Sequence, residues 1–165
     1  MSKAKASHVS HTFPPCYQRD AEILILGSFP SVKSREEAFY YANPLNRFYD
    51  VLSMVFNEKK PVSLDEKKEF VYAHKLALYD VIETCDIISS SDSSIKNVKP
   101  VDLSLIKAPI KMVVLNGKKA GALYIKYLSG SYDLPYQILP STSPANAACS
   151  LKDLYDSWSN VLLKK

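Results

Sequence analysis

The sequence predicts an α/β fold in which a parallel sheet is covered by helices on both faces. Short continuous apolar runs, such as ILIL at 23–26 and MVVL at 112–115, are typical of strands buried on both faces. Segments with apolar residues at helical spacing lie between these runs. The chain has 165 residues, 47% of them hydrophobic, which predicts one domain over residues 1–165 with one sizeable core.

Each element follows from a local pattern. Strands are predicted at the four apolar runs, namely Glu22–Leu26, Leu76–Val81, Met112–Leu115 and Tyr136–Leu139. Helices are predicted where apolar residues recur at helical spacing or a capping residue leads a segment, namely at Asn46–Phe56, Ser63–His74, Asp102–Ile106, Lys118–Leu128 and Lys152–Leu163. The stretch Ile88–Lys99 is rich in Ser and Asp and is predicted to be a loop. Residues 1–12 are predicted to be a flexible tail, and its His8 and His11 have no third ligand nearby, so no metal site is expected.

Composition narrows the function classes. The net charge of +4 permits a polyanionic partner without requiring one. The three cysteines lie far apart with no metal-binding spacing, which indicates reduced thiols. No apolar run approaches the ~20 residues of a membrane span, and the basic N-terminus lacks the apolar core of a secretory signal. We therefore expect a cytoplasmic protein with no membrane segment.

The loop after the first strand is unusually rich in aromatic and amide side chains, namely Phe29, Tyr40, Tyr41, Asn43 and Asn46. In open α/β sheets, ligands bind outside the carboxyl ends of the strands, where this loop is expected. Flat rings and amides suit a planar, hydrogen-bonding ligand such as a nucleobase. The alternative is that the rings belong to the core while the Asn residues form turns and caps.

Two further loops follow predicted strands and leave alternatives open. LPSTSPANA, residues 139–147, offers hydroxyls and backbone N–H groups that suit phosphate contacts, but it could equally be a Pro-rich turn. Asn116-Gly117-Lys118 either places a positive charge near a nucleic-acid backbone or forms a tight turn. Asp80 follows a strand and is either a base or a structural residue. The sequence has no paired carboxylates in a catalytic setting, no Ser/His/Asp arrangement and no GxxxxGK[ST] phosphate loop.

Five stretches in register resemble the uracil-DNA glycosylase superfamily, and above all its hypoxanthine (deoxyinosine) DNA glycosylase branch. They are LILGSFPS at 24–31, FYYANPLNRF at 39–48, LYDVIETCDIISSSDSSI at 78–95, VVLNGKKA at 113–120 and LPSTSPANA at 139–147. The likeness runs from Phe13 to Trp158. It implies a three-layer α/β/α sandwich around a four-stranded parallel sheet. It also implies an enzyme that flips a deaminated base out of DNA and hydrolyses its N-glycosidic bond.

The resemblance also implies site residues. Most superfamily branches carry a water-activating Asn or Asp where Phe29 stands here, so the catalytic role passes to Asn46, with Asn43 as the second choice. Phe29 is expected to stack on the flipped base, with Tyr41 and Ser28 beside it. The expected DNA contacts are Ser31, Ser141, Thr142, Ser143, Asn146 and Lys118. Asn43 departs from the family, which often has His there. The resemblance also implies that the loop Ser141–Asn146 grips the strand and fills the space that the base vacates, but it lacks a large residue for this.

Three hypotheses follow from the resemblance. The first is a monofunctional deoxyinosine glycosylase, because no lysine is clearly placed as a nucleophile. The second is a glycosylase on the same scaffold that acts on uracil in duplex DNA. The third is a catalytically silent module that binds nucleic acid. In each case we expect a monomer, as the resemblance implies, and no metal or cofactor. Some relatives hold an iron–sulfur cluster through four cysteines, whereas this chain has only three.

Overall fold

The computed structural model describes residues 5–89 and 91–163. Within these ranges the strands are β1 Ser7–Ser10, β2 Ile23–Gly27, β3 Leu76–Asp80, β4 Ile82–Ile87, β5 Lys96–Pro100, β6 Met112–Asn116 and β7 Tyr136–Leu139. The α-helices are α1 Val32–Glu37, α2 Phe48–Val55, α3 Leu64–Ala73, α4 Lys118–Tyr127 and α5 Leu151–Leu162. Short 3₁₀ turns cover Asp92–Ser94, Leu103–Leu105 and Ser129–Ser131. No helix in the described ranges is both long and apolar enough to cross a membrane.

A four-stranded parallel sheet in the order β3-β2-β6-β7 forms the centre of the fold, which confirms the predicted class. From β2 the chain continues to β3 on one side of the sheet, whereas from β6 it continues to β7 on the other side. The strand order therefore reverses between β2 and β6. Such a reversal opens a crevice at the carboxyl ends of the strands. Gly27 of β2 pairs with Asp80 of β3, which places both residues at that edge.

Helices pack on the sheet through apolar stripes. In α5, Leu154, Trp158 and Leu162 are buried, and the helix packs against α2. Ser150 begins α5 with a capping box, in which its hydroxyl accepts from Asp153 N–H and the Asp153 carboxylate accepts from Ser150 N–H. The helix thus begins at Leu151, one residue before its predicted start.

The structure has a second sheet, β1-β4-β5, which was not predicted from the sequence. The predicted tail over 1–12 is wrong for Ser7–Ser10, which pair antiparallel with β4, while residues 1–4 lie outside the described ranges. The predicted loop is likewise wrong at Lys96–Lys99, which belong to β5. Because β1 and β5 are polar and mostly exposed, hydrogen bonds to β4 stabilise them rather than an apolar run.

Helix α1 lies within what was expected to be loop, and Ser31 caps it by accepting a hydrogen bond from Ser34 N–H. Helix α2 begins at Phe48, two residues after its predicted start at Asn46. The predicted cap at Asn46 is wrong, because the N-cap is Arg47 and it makes no side-chain cap bond. Asn46 instead lies one residue earlier, and its Oδ1 accepts from Phe48 N–H at 2.9 Å as in an Asx turn. This bond ties a candidate site residue to the first turn of α2.

Candidate functional site

A pocket of about 250 Å³ opens beyond the carboxyl ends of β2, β3, β6 and β7, where the strand order predicts a ligand site. Its volume lies just below the range of roughly 300–1,000 Å³ typical of sites for drug-sized ligands. The lining combines aromatic rings with amides, hydroxyls and one carboxylate. It is formed by Gly27, Ser28, Phe29, Pro30, Ser31, Ser34, Tyr40, Tyr41, Asn43, Asn46, Asp80, Asn116, Ser141, Thr142, Ser143, Pro144 and Ala145.

A chain of hydrogen bonds fixes the direction of the Asn46 amide. Asn116 holds Thr142 at two points, with Oδ1 accepting from Thr142 N–H and Nδ2 donating to Thr142 Oγ1, both at 3.0 Å. The Thr142 hydroxyl then donates to Asn46 Oδ1 at 2.8 Å, and Phe48 N–H donates to the same oxygen. Because two donors meet at Oδ1, the Nδ2 group is the part of the Asn46 side chain outside these bonds.

Arg47 fastens the last loop to the start of α2. Its guanidinium donates to the carbonyls of Cys149 at 2.6 Å and Asn146 at 3.0 Å. Its backbone N–H donates to the Thr142 carbonyl. These bonds join the second of the five resembling stretches to the last stretch and the residues after it, which are about a hundred residues away. Arg47 and Asn116 had no predicted role at the site, and the signal for them was their place within the resembling stretches. Asp80 was predicted to be either a base or a structural residue, and it lines the pocket.

The turn that leads to Asn46 is held by Asn43. The Asn43 side chain accepts from Leu45 N–H, and its carbonyl accepts from Asn46 N–H, both at 2.9 Å. Tyr41, just before, has a positive φ of 56°, which is rare for an aromatic residue and marks a constrained backbone. Asn43 therefore lines the pocket while using its amide oxygen to shape its own loop.

Two aromatic rings form walls of the pocket. Tyr41 stacks on Phe48 with ring centroids 3.8 Å apart. Burial first, and the Asp80 carboxylate second, raise the pKa of Tyr41 above its usual range, while the Asn116 amide lowers it by less. The hydroxyl is therefore neutral and available as a donor. Phe29 is buried, and the Arg35 guanidinium lies 5.4 Å from its ring centroid.

The predicted DNA-contact residues fall into two groups. Ser31, Ser141 and Ser143 line the pocket, and their oxygens accept backbone N–H groups. The Ser31 hydroxyl also donates to Ser34 Oγ at 3.2 Å. Ser28, predicted to touch the base, also lines the pocket.

The others are placed differently. Thr142 is completely buried and bonded to Asn46, so it shapes the site from inside. The Asn146 side chain donates to the Ser141 carbonyl within its own loop. Lys118 is exposed at the first residue of α4 and is absent from the pocket lining.

Gly117 allows the last loop to approach. Its φ is 106°, a conformation that favours glycine, and a Cβ there would lie 2.9 Å from Ser141 Cβ. Gly117 joins β6 directly to α4, as the tight-turn interpretation of Asn116-Gly117-Lys118 requires. The contact of Lys118 with a nucleic-acid backbone stays a prediction. Asn116 is nevertheless a pocket residue, because the turn points its amide at Thr142.

A buried His–Asp pair lies at the edge of the pocket. His11 Nε2 is 2.8 Å from Asp80 Oδ2, with the two side chains 1% and 5% exposed. His11 was expected in a flexible tail, but its ring packs against those of Phe13, Tyr40 and Tyr79. Within the described ranges, no group of three or more His, Cys, Asp or Glu residues is arranged to hold a metal ion.

Comparisons with known proteins agree with this geometry. A curated hypoxanthine DNA glycosylase from Methanosarcina barkeri is 32% identical over 153 residues, covering 90% of this chain and 95% of its own length. A second protein of that name from Methanosarcina acetivorans is 33% identical over 158 residues, covering 93% and 98%. The chain belongs to the hypoxanthine DNA glycosylase family. No family model matches it.

The fold comparison gives the same family setting. A solution NMR structure of a Methanosarcina acetivorans protein, provisionally described as a uracil DNA glycosylase, has a TM-score of 0.78 to this chain. The two chains are 30% identical, and the match covers 96% of each. This likeness is compatible with the uracil hypothesis, while the two named relatives favour hypoxanthine.

Proposed function

We propose that this family member is a monofunctional DNA glycosylase that hydrolyses the N-glycosidic bond of deoxyinosine and releases hypoxanthine. The names of the two Methanosarcina relatives support the choice of base. The pocket supports the reaction class, because a flipped base needs flat walls and fixed polar groups rather than an open groove. Hypoxanthine pairs imperfectly opposite thymine, which lowers the cost of flipping it out of the duplex.

The fixed direction of the Asn46 amide is the observation that carries the proposal. Its Oδ1 already accepts from Thr142 and Phe48, so it is poorly placed to accept a proton from water as well. Its Nδ2 can donate to an oxygen or nitrogen of the base. As the glycosidic bond breaks, negative charge develops on the leaving base, and a fixed donor stabilises it more in the transition state than in the ground state. Asn46 therefore acts on the base, and Asn43 supports its loop.

The remaining residues hold the substrate. Phe29 and Tyr41 wall the planar base, and Ser28 lies beside them. Ser141 and Ser143 can donate hydroxyl hydrogens to phosphates, as can Ser31 if it exchanges its bond to Ser34, while Lys118 supplies charge. Thr142 and Asn146 contribute by shaping the loop rather than by touching DNA.

Base release from matched duplexes is the test of the proposed function. One duplex carries a single deoxyinosine, the second a single deoxyuridine, and wild type is compared with Asn46→Ala. Release of hypoxanthine that is lost in the variant supports both the substrate and the residue. Release of uracil alone would transfer the proposal to the second hypothesis, and tight binding with no release would leave a DNA-binding module.

Two finer points belong to the same proposal. Strand nicking is not expected, so borohydride should trap no protein–DNA adduct, and a trapped adduct would contradict the monofunctional assignment. The proposal also includes a monomer that acts on duplex DNA in the cytoplasm. Sedimentation of the protein with and without duplex measures that stoichiometry.

A further inference from the structure

Asp80 is the only carboxylate among the described residues that line the pocket. It ends β3 opposite Gly27 and is 4% exposed. A Cβ on residue 27 would lie 2.6 Å from Asp80 Oδ1, so the glycine leaves the space that this oxygen occupies. The carboxylate is thus held beside the loop that carries Phe29.

The two carboxylate oxygens have different surroundings. Oδ2 is held by His11 Nε2, which donates because a carboxylate oxygen can only accept. His11 Nδ1 is buried and has no hydrogen-bond partner in the part of the chain that the structure describes. The aromatic cluster around His11 therefore leaves the ring one polar contact, which is to Asp80. Such a contact sets the direction of Oδ1.

A purely structural pair is the alternative, since His11 follows β1 and could simply fasten that strand to the central sheet. The chain contains a second pair of that kind. His8 Nδ1 lies 2.8 Å from Asp86 Oδ1 between β1 and β4, with the side chains 68% and 29% exposed. The two pairs have the same chemistry and length, but Asp80 alone lines the pocket.

We propose that Asp80 is a catalytic residue whose Oδ1 orients the attacking water and takes its proton, and that His11 is the positioning residue that holds the carboxylate. The inference rests on the proposed function. The water oxygen bonds to C1′ of the deoxyribose while the C1′–N9 bond breaks and its electron pair leaves on the base. One water proton passes to Asp80, which returns it to solvent, and the released base takes a proton from solvent. A carboxylate also stabilises the oxocarbenium-like sugar of the transition state.

The test measures single-turnover hypoxanthine release by wild type, Asp80→Asn and the matched control Asp86→Asn. Asp80→Asn retains an oxygen that accepts from His11 but loses the charge and the base. Its rate should fall by about 10²-fold or more, with duplex affinity and melting temperature close to wild type. Asp86→Asn should release base at the wild-type rate. A wild-type rate in Asp80→Asn, or an equal loss in both variants, would overturn the inference.

Failure of the proposed function would be seen separately, as a wild-type protein that releases no hypoxanthine. Should Asp80→Asn not fold, Gly27→Ala tests the same atom, because the added Cβ must displace Oδ1. Its release rate should fall, and an unchanged rate would count against Asp80.

His11 is tested by rescue. His11→Leu removes the donor to Oδ2 and should reduce release, whereas His11→Gln can place an Nε2 donor similarly and should restore most of it. Equal rates in the two variants at equal melting temperature would show that the hydrogen bond has no positioning role.

Discussion

Two pockets of similar volume lie at different ends of the central sheet, and their linings differ. The first, of about 250 Å³, lies at the carboxyl ends of the strands and is lined by amides, hydroxyls and Asp80. The second, of about 220 Å³, lies against Leu24 and Val113, each the second residue of its strand. Apart from Ser104 and Tyr132, its lining is aliphatic: Leu24, Leu103, Ile106, Ala108, Ile110, Val113 and Leu134.

The difference teaches that enclosed volume is a poor guide to function. In the first pocket, polar groups are bonded to one another and to backbone N–H groups, so their directions are fixed before any ligand arrives. In the second pocket, the aliphatic side chains form no directional bonds and contribute to stability by excluding water. Substitutions at the first pocket should therefore change activity more than stability, and those at the second should do the reverse.

The largest effect is expected from Asn46→Asp. The new carboxylate can still accept from Thr142 and Phe48, so the loop keeps its bonds. It replaces the Nδ2 donor by an acceptor, which removes the proposed stabilisation of the leaving base. Loss of one such fixed donor costs about 10²- to 10³-fold in rate. We expect that loss in single-turnover release, with a melting temperature near wild type. A rate near wild type would show that Asn46 does not act as a donor.

A smaller loss is expected from Thr142→Val, which keeps the shape but removes the hydroxyl between Asn116 and Asn46. One buried hydrogen-bond partner is lost on each side, at about 1–3 kcal/mol of stability. Freed from one of its two fixed donors, the Asn46 amide should be less well oriented, and we expect about tenfold slower release. Chemical denaturation measures the first effect and single-turnover kinetics the second. Thr142→Ser, which retains the hydroxyl, is the control and should recover most of the rate.

The sequence predicts this pocket unevenly, for physical reasons. The strands β2, β3 and β6 are mainly apolar runs, and burial on both faces dictates such runs, so they were found within a residue. The edge strand β7 was also found, although three of its four residues are exposed. Asn46 was predicted because it lies in FYYANPLNRF, one of the stretches that resemble the superfamily. Asp80 was left open between a base and a structural residue, and His11 was placed in the tail, since their significance lies in a contact between residues 69 apart. No local pattern carries such a contact, and the polar strand β1 that brings His11 there looks like a tail.

Leu45 tests whether the first pocket extends to the duplex around it. It is 70% exposed on the turn between Asn43 and Asn46, where hydrogen bonds hold the backbone. Apolar side chains inserted between base steps stabilise distorted DNA, and the last loop lacks a large residue for this. We expect Leu45→Ala to slow release severalfold from duplex and leave release from single-stranded deoxyinosine unchanged. The control is Val62→Ala, because the Val62 side chain is also 70% exposed and lies just before α3, outside the pocket lining. Equal losses on both substrates would argue against insertion.

The smallest effect on base release is expected from Leu103→Ala, in the second pocket. Leu103 is 6% exposed, and its truncation should enlarge an existing space at a cost of about 2–5 kcal/mol in the free energy of unfolding. The variant should melt at a lower temperature, yet release base at the wild-type rate while it remains folded, since no polar group of the first pocket loses a partner. A fall in rate below the melting transition would mean that the two ends of the sheet are coupled through Leu24 and Val113. In that case the aliphatic pocket would have to be counted with the site.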